Sequence, residues 1–202
     1  WQLHKSEILG ARCGYAILGS RPVINPSLMI IGANPGFGEG DAQSEAHVQE
    51  SWPGHFYLQD DSYPLKSRLA ELFADARLRP MLVFATSTNF LFFKSKMLKG
   101  SDPLAWSQVS PALRAQLEEL CLKEVQAMLE LIEPKRILVL GMGAVDQHFS
   151  ESKPELVGAN GGWLIASGQL WGRPAIGIKH PTGARWNNVD RQAAREWLEE
   201  NF

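Results

Sequence analysis

The stretch Leu28-Met29-Ile30-Ile31-Gly32-Ala33-Asn34-Pro35-Gly36 constrains the fold more than any other. A short, continuous, β-prone apolar run marks a strand buried on both faces. Gly32, Pro35 and Gly36 end it abruptly. Strands of this kind lie in parallel sheets covered by helices, and ligands bind beyond their carboxyl ends. Asn34 stands at that position. Asn-Pro-Gly is also ordinary turn chemistry, so Asn34 gains a functional reading only alongside the motifs further on.

The same pattern recurs along the chain. Met81-Leu82-Val83-Phe84 is predicted as a second buried strand, running into Ala85-Thr86-Ser87-Thr88-Asn89. Arg136-Ile137-Leu138-Val139-Leu140-Gly141 is a third. Residues 163–167 and 174–178 are further strand candidates, and the latter delivers Lys179-His180-Pro181-Thr182-Gly183-Ala184-Arg185-Trp186.

Helical spacing separates these runs. Leu65, Leu69, Leu72, Phe73 and Ala76 share one face, and Arg79-Pro80 ends it. Ser110-Pro111 opens a long helix with an N-cap side chain and a first-turn proline, and Glu133-Pro134 stops it. A short helix is expected over 143–149. A last one is capped by Asn188 or Asp190, with Ala193, Ala194, Trp197 and Leu198 inward. Residues 1–22 carry a weak helical face. Strands alternating with helices predict an α/β sandwich around a mostly parallel sheet, in one domain spanning 1–202.

Composition narrows the class. Hydrophobic content of 45% and charged content of 21% over 202 residues are globular values. No apolar run reaches membrane-spanning length and no signal peptide is recognised, so a non-secreted protein is expected. Cys13 and Cys121 cannot supply a four-thiolate cluster and lack the pair spacing of a zinc site, so both read as free thiols, and no metal is expected. The net charge of −2 is not that of a strongly basic nucleic-acid binder. Lys94, Lys96 and Lys99, like Lys179 and Arg185, read by default as solvated surface. The polar segment 38–63 carries Trp52, His55, Phe56, Tyr57 and Tyr63, which either stack on a planar ligand or pin the segment to the core. Gly36-x-Gly38-x-Gly40 and Gly141-x-Gly143 both fail the spacing of a dinucleotide fingerprint, leaving a nicotinamide enzyme as a remote third reading.

Three strand-end motifs form the stronger pattern: Gly32-Ala33-Asn34-Pro35-Gly36, Thr88-Asn89 and His180-Pro181-Thr182-Gly183. In this order, with a long helix and a strand between them, they resemble the uracil-DNA glycosylase superfamily from about residue 28 to the C-terminus. The nearest branches are the mismatch-specific and single-strand-selective ones, without an iron–sulfur cluster. The resemblance implies a three-layer α/β/α sandwich around a central, mostly parallel four-stranded sheet. It also implies a monomeric, monofunctional DNA-repair hydrolase of the cytoplasm or bacterial nucleoid, or of a eukaryotic nucleus. Such an enzyme needs no cofactor and acts on single- or double-stranded DNA with a damaged or mispaired base.

By the same resemblance Asn34 positions the attacking water, and His180 donates to the pyrimidine O2. Asn89 reads the base edge. Gly32 and Gly36 line the base pocket, and Gly36 leaves space where the uracil-strict branch has a Tyr. Phe56, with Phe37 and Tyr63 as alternatives, stacks on the base. Thr182, Gly183, Ala184 and Arg185 meet DNA. Ala184 is small where a Leu wedge is common, so Arg185 or Trp186 fills that place.

The chemistry fits these residue types. Negative charge builds on the leaving base, and a fixed donor at O2 supplies about 3–4 kcal/mol as an oxyanion-type stabiliser. An Asn orients water toward C1′ without acting as a strong base. An amide offers both a donor and an acceptor to the uracil edge. Extruding the base costs a few kcal/mol and favours mispaired or single-stranded sites. The alternative reading is a non-catalytic relative that binds nucleotides or nucleic acid through the same pocket.

Overall fold

The computed structural model describes residues 14–36, 64–182 and 185–202. Its centre is strand β1 (Met29–Gly32), whose four residues are all buried. β1 pairs in parallel with β2 (Thr86–Asn89) on one side and β3 (Ile137–Leu140) on the other. β3 pairs in parallel with β6 (Arg173–Ile178). β5 (Trp163–Leu170) and β4 (Phe149–Val157) then extend the sheet antiparallel, giving the order β2-β1-β3-β6-β5-β4. The sheet is therefore six-stranded rather than four-stranded. The mixed α/β class and the mostly parallel inner strands are as expected.

Alternation along the strands divides the core in two. Met29, Ile31 and Val139 face helix α3 (Pro111–Ile132) and helix α4 (Met142–His148). Leu28, Ile30, Leu138 and Leu140 face α1 (Pro64–Leu72), α2 (Leu78–Val83) and α5 (Asn188–Asn201). Helices thus cover both faces, as buried parallel strands require. Among the described residues, no helix is long and apolar enough to cross a membrane.

The long helix α3 starts where Ser110-Pro111 places it, with Pro at a first-turn position where its missing N–H is no loss. Ser110 is the N-cap residue, but its side chain makes no capping bond. Leu113, Leu117, Cys121, Val125 and Leu129 recur every fourth residue and form its buried ridge. Glu133 closes the helix in the left-handed region at φ +50°. The last helix begins differently from the expectation: Asn187, not Asn188 or Asp190, is its cap and accepts from the Asp190 amide at 2.7 Å. Asp190 is buried, accepting from Asn187 Nδ2 at 3.0 Å and from the Ala159 amide at 3.1 Å.

The second strand is displaced from its expected place. Met81-Leu82-Val83-Phe84 falls at the end of α2 and just past it, because Pro80 occupies the helix's first turn instead of breaking it. Only Leu82 of that run is buried, whereas Phe84 is 68% exposed. The buried strand is the polar Thr86-Ser87-Thr88-Asn89, and the residues before β1 explain how it is tolerated. Thr88 Oγ1 donates to the Ile17 carbonyl at 2.6 Å, and Thr86 Oγ1 accepts from the Val23 amide at 3.1 Å. Ser20 Oγ accepts from the Ser87 amide and donates to the Ala85 carbonyl. The described part of the expected N-terminal helical face is not helical and makes isolated bridges from Leu18 to Thr88 and Tyr15 to Phe93. At the other edge β4 is irregular, with register shifts against β5 and Glu151 at φ +57°.

Gly177 on β6 marks a close sheet–helix approach. A Cβ there would collide with Val145 Cγ2 of α4, and Val145 is fully buried and stiff at χ1. Gly177→Ala is expected to cost about 1–3 kcal/mol through overpacking. Urea denaturation measures it, and a change under a few tenths would show that α4 yields freely.

Candidate active site

The carboxyl ends of β2, β1, β3 and β6 lie in a row, and each releases one of the residues singled out in the sequence. Neighbouring strands are spaced by about 4.8 Å, so the ends of β1 and β6 stand about 10 Å apart with only the end of β3 between them. That end is Gly141, a residue without a side chain. Its φ of +107° turns the chain from β3 into α4, and its amide donates to the Ile178 carbonyl at 2.7 Å.

Gly32 and Asn89 are direct register partners at the ends of β1 and β2. A Cβ on Gly32 would run into Asn89 Oδ1, so glycine is what lets the Asn89 amide lie over the end of β1. Asn89 is half-buried and makes no side-chain hydrogen bond to any described residue. Its amide therefore keeps both a donor and an acceptor open.

Asn34, two residues past β1, is held differently. Its Nδ2 donates to the Pro35 carbonyl at 2.9 Å, to Ser95 Oγ at 2.9 Å and to the Ser95 carbonyl at 3.3 Å. Carbonyls only accept, so these contacts settle which end of the amide is nitrogen. Oδ1 is left as an acceptor with no donor among the described residues.

The supporting segment follows β2. Phe90 and Leu91 donate their amides to the Gly32 and Ala33 carbonyls, and the Ser95 amide reaches the Pro35 carbonyl at 3.4 Å. Ser95 is 1% exposed. Sequence reasoning missed it, because a Ser in a Lys-rich stretch carries no periodic signal. Its neighbour Lys94, read from sequence as surface, is buried, and Lys96 pairs with Asp102 at 2.7 Å.

His180 lies two residues past β6. Its Nδ1 accepts from the Thr182 amide at 3.3 Å and sits 3.3 Å from Thr182 Oγ1. An accepting Nδ1 puts the proton of the neutral ring on Nε2. Trp186 Nε1 donates to the His180 carbonyl at 3.0 Å, anchoring the segment from its far end. Burial pushes the His180 pKa below the usual histidine value. His148 is lowered for the same reason; its ring stacks on Phe90, with centroids 4.1 Å apart. Cys121 is buried in α3, and burial raises its thiol pKa.

The sheet thus puts Asn34 and Asn89 on adjacent strand ends and His180 on a third, across Gly141. Gly36, Thr182 and Arg185 are exposed at this edge. Phe37, Phe56, Tyr63, Gly183 and Ala184 lie outside the described residues, as does Cys13. No protein-family model matches the chain, and no curated protein matches it.

Two predictions test this geometry. Gly32→Ala is expected to fold normally, since Asn89 has no side-chain bond to lose, but to swing the Asn89 amide off the end of β1. A crystal structure of the variant with Asn89 unmoved contradicts this. The second concerns pH. The folded pKa of His180 is depressed, so the unfolded chain binds the proton first as pH falls. Its contribution to stability is full above the ordinary histidine value of 6.5 and is lost as pH drops through the folded value. His180→Asn is expected to flatten the acid side of the stability profile, leaving the part due to His148; an unchanged slope contradicts it.

Proposed function

We propose that the chain is a DNA base-excision glycosylase of the uracil-DNA glycosylase type, hydrolysing the N-glycosidic bond of uracil or a related damaged or mispaired base after base flipping. One observation carries the reading. A single sheet edge presents an amide oxygen held as an acceptor on Asn34, an amide with its hydrogen-bonding capacity open on Asn89, and an imidazole whose Nδ1 accepts from the Thr182 amide at His180. On this reading the strands β2-β1-β3-β6 form the superfamily's four-stranded sheet inside a three-layer sandwich, and β5 and β4 extend it.

The roles follow from the geometry. Asn34 Oδ1 accepts a hydrogen bond from water and holds that water toward C1′. Because the carbon becomes oxocarbenium-like as the bond breaks, a placed water suffices. Asn89 pairs with the edge of the flipped pyrimidine, giving a donor and an acceptor at once. His180 donates from Nε2 to O2 as negative charge gathers on the departing base. A neutral donor suits this task, because a lowered pKa keeps the ring uncharged at neutral pH while the Thr182 amide fixes its tautomer.

The test is an oligonucleotide panel with uracil, hypoxanthine and mismatched bases, single- and double-stranded, scored for alkali-labile breaks. Wild type is expected to produce them. His180→Ala is expected to slow single-turnover release by about 10²–10³-fold, the usual effect of removing one transition-state donor. Asn34→Ala is expected to lose base release while keeping affinity for the oligonucleotide. Binding without breaks on any substrate would transfer the chain to the alternative, a non-catalytic nucleic-acid-binding relative.

A further inference from the structure

Beside the His180 segment lies a cleft of about 190 Å³ lined by Pro64 and Arg68 of α1, Pro181, Thr182, Trp186, and Arg191 of α5. It is smaller than the roughly 300–1,000 Å³ of small-molecule sites, a size for one ionic group rather than a whole ligand. Its charge is unbalanced. Arg68 Nη1 is 3.2 Å and Arg191 Nη1 3.7 Å from one carboxylate oxygen of Glu71, so two guanidiniums share a single half-exposed acid. Arg191 Nη2 donates to Asn188 Oδ1 at 2.7 Å, whereas its Nε is buried and has no hydrogen-bond partner among the described residues. The nearby Asp190 carboxylate is occupied by Asn187 Nδ2 and the Ala159 amide. Arg191 also sits at the amino end of the 14-residue helix α5, where the macrodipole favours an anion and disfavours a cation. Two arginines and Thr182 therefore line a small space whose lining, among the described residues, contains no carboxylate.

We infer that this cleft is a phosphate-binding subsite, with Arg68 and Arg191 supplying the charge and Thr182 a hydroxyl donor. The identity of its ligand rests on the glycosylase reading: the phosphate is a backbone phosphodiester of the DNA strand beside the extruded nucleotide, since Thr182 is two residues from His180. Phosphate contacts position the strand and carry no sequence information. They are therefore read through salt dependence rather than lesion preference.

The experiment measures oligonucleotide binding by fluorescence anisotropy from about 50 to about 200 mM salt, with and without uracil, for wild type, Arg68→Gln, Arg191→Gln, Arg191→Lys and Lys153→Gln. Each Arg→Gln change is expected to lower the slope of log K against log salt by about one, equally for damaged and undamaged strands. Arg191→Lys, which keeps the charge, separates lost contact from lost folding and is expected to retain the slope. Lys153→Gln removes a charge at the opposite end of the sheet, in the cleft with Lys135 and Arg136, and is expected to change nothing. A slope unaltered in both Arg→Gln variants overturns the inference, as does one lowered equally by Lys153→Gln. Wild type that binds with the expected slope but releases no base defeats the glycosylase reading alone and leaves the phosphate subsite standing.

Discussion

Everything at the candidate site depends on the pairing of β1 with a parallel strand on either side. Leu28 to Ile31 have no solvent exposure at all, so each methyl and methylene group there is removed from water. At about 25 cal/mol per Å² of apolar surface buried, such a strand is among the strongest local contributors to the fold. Burial on both faces also pins the register, because a one-residue slip would exchange the two core faces. The fixed register sets Gly32 opposite Asn89. The apolar core thereby positions two polar side chains at its edge.

A division of labour follows. Asn34 is clamped by three hydrogen bonds, two of them to Ser95, and its freedom is removed before any ligand arrives. Asn89 is left open and is positioned by packing against a glycine. His180 is fixed in tautomer by a backbone amide and at its carbonyl by an indole. On the proposed reading, prepaid order suits Asn34 as the group that places water, and open valence suits Asn89 as the group that reads the base.

Much of the architecture was legible in the residues. Apolar runs ending in Gly or turn residues located β1, β3 and β6, and the four-residue ridge of α3 located the long helix. Legibility failed where side chains capture backbone. Thr86-Ser87-Thr88 looks like a loop by hydropathy, yet it is a buried strand because the Thr86 and Thr88 hydroxyls bind the chain running beside it and Ser20 of that chain binds the strand's backbone. Pro80 reads as a helix end, yet it opens a helix, since a first-turn proline forfeits no hydrogen bond. β4 went unseen because its burial is broken by bulges. At the candidate site, the strand-end positions of Asn34, Asn89 and His180 were readable from motifs. Ser95, Arg68 and Arg191 were not, because their partners lie far away in sequence or on another helix.

The irregular outer strand has a consequence of its own. An open sheet ends in unpaired amides and carbonyls, a template on which other chains add and polymerise. Here one border is shielded by the residues before β1, and the other is β4, kinked by Glu151, interrupted by Pro154 and carrying Lys153. Neither border offers a straight run for a newcomer, so fibrillar self-association is discouraged at both ends of the sheet.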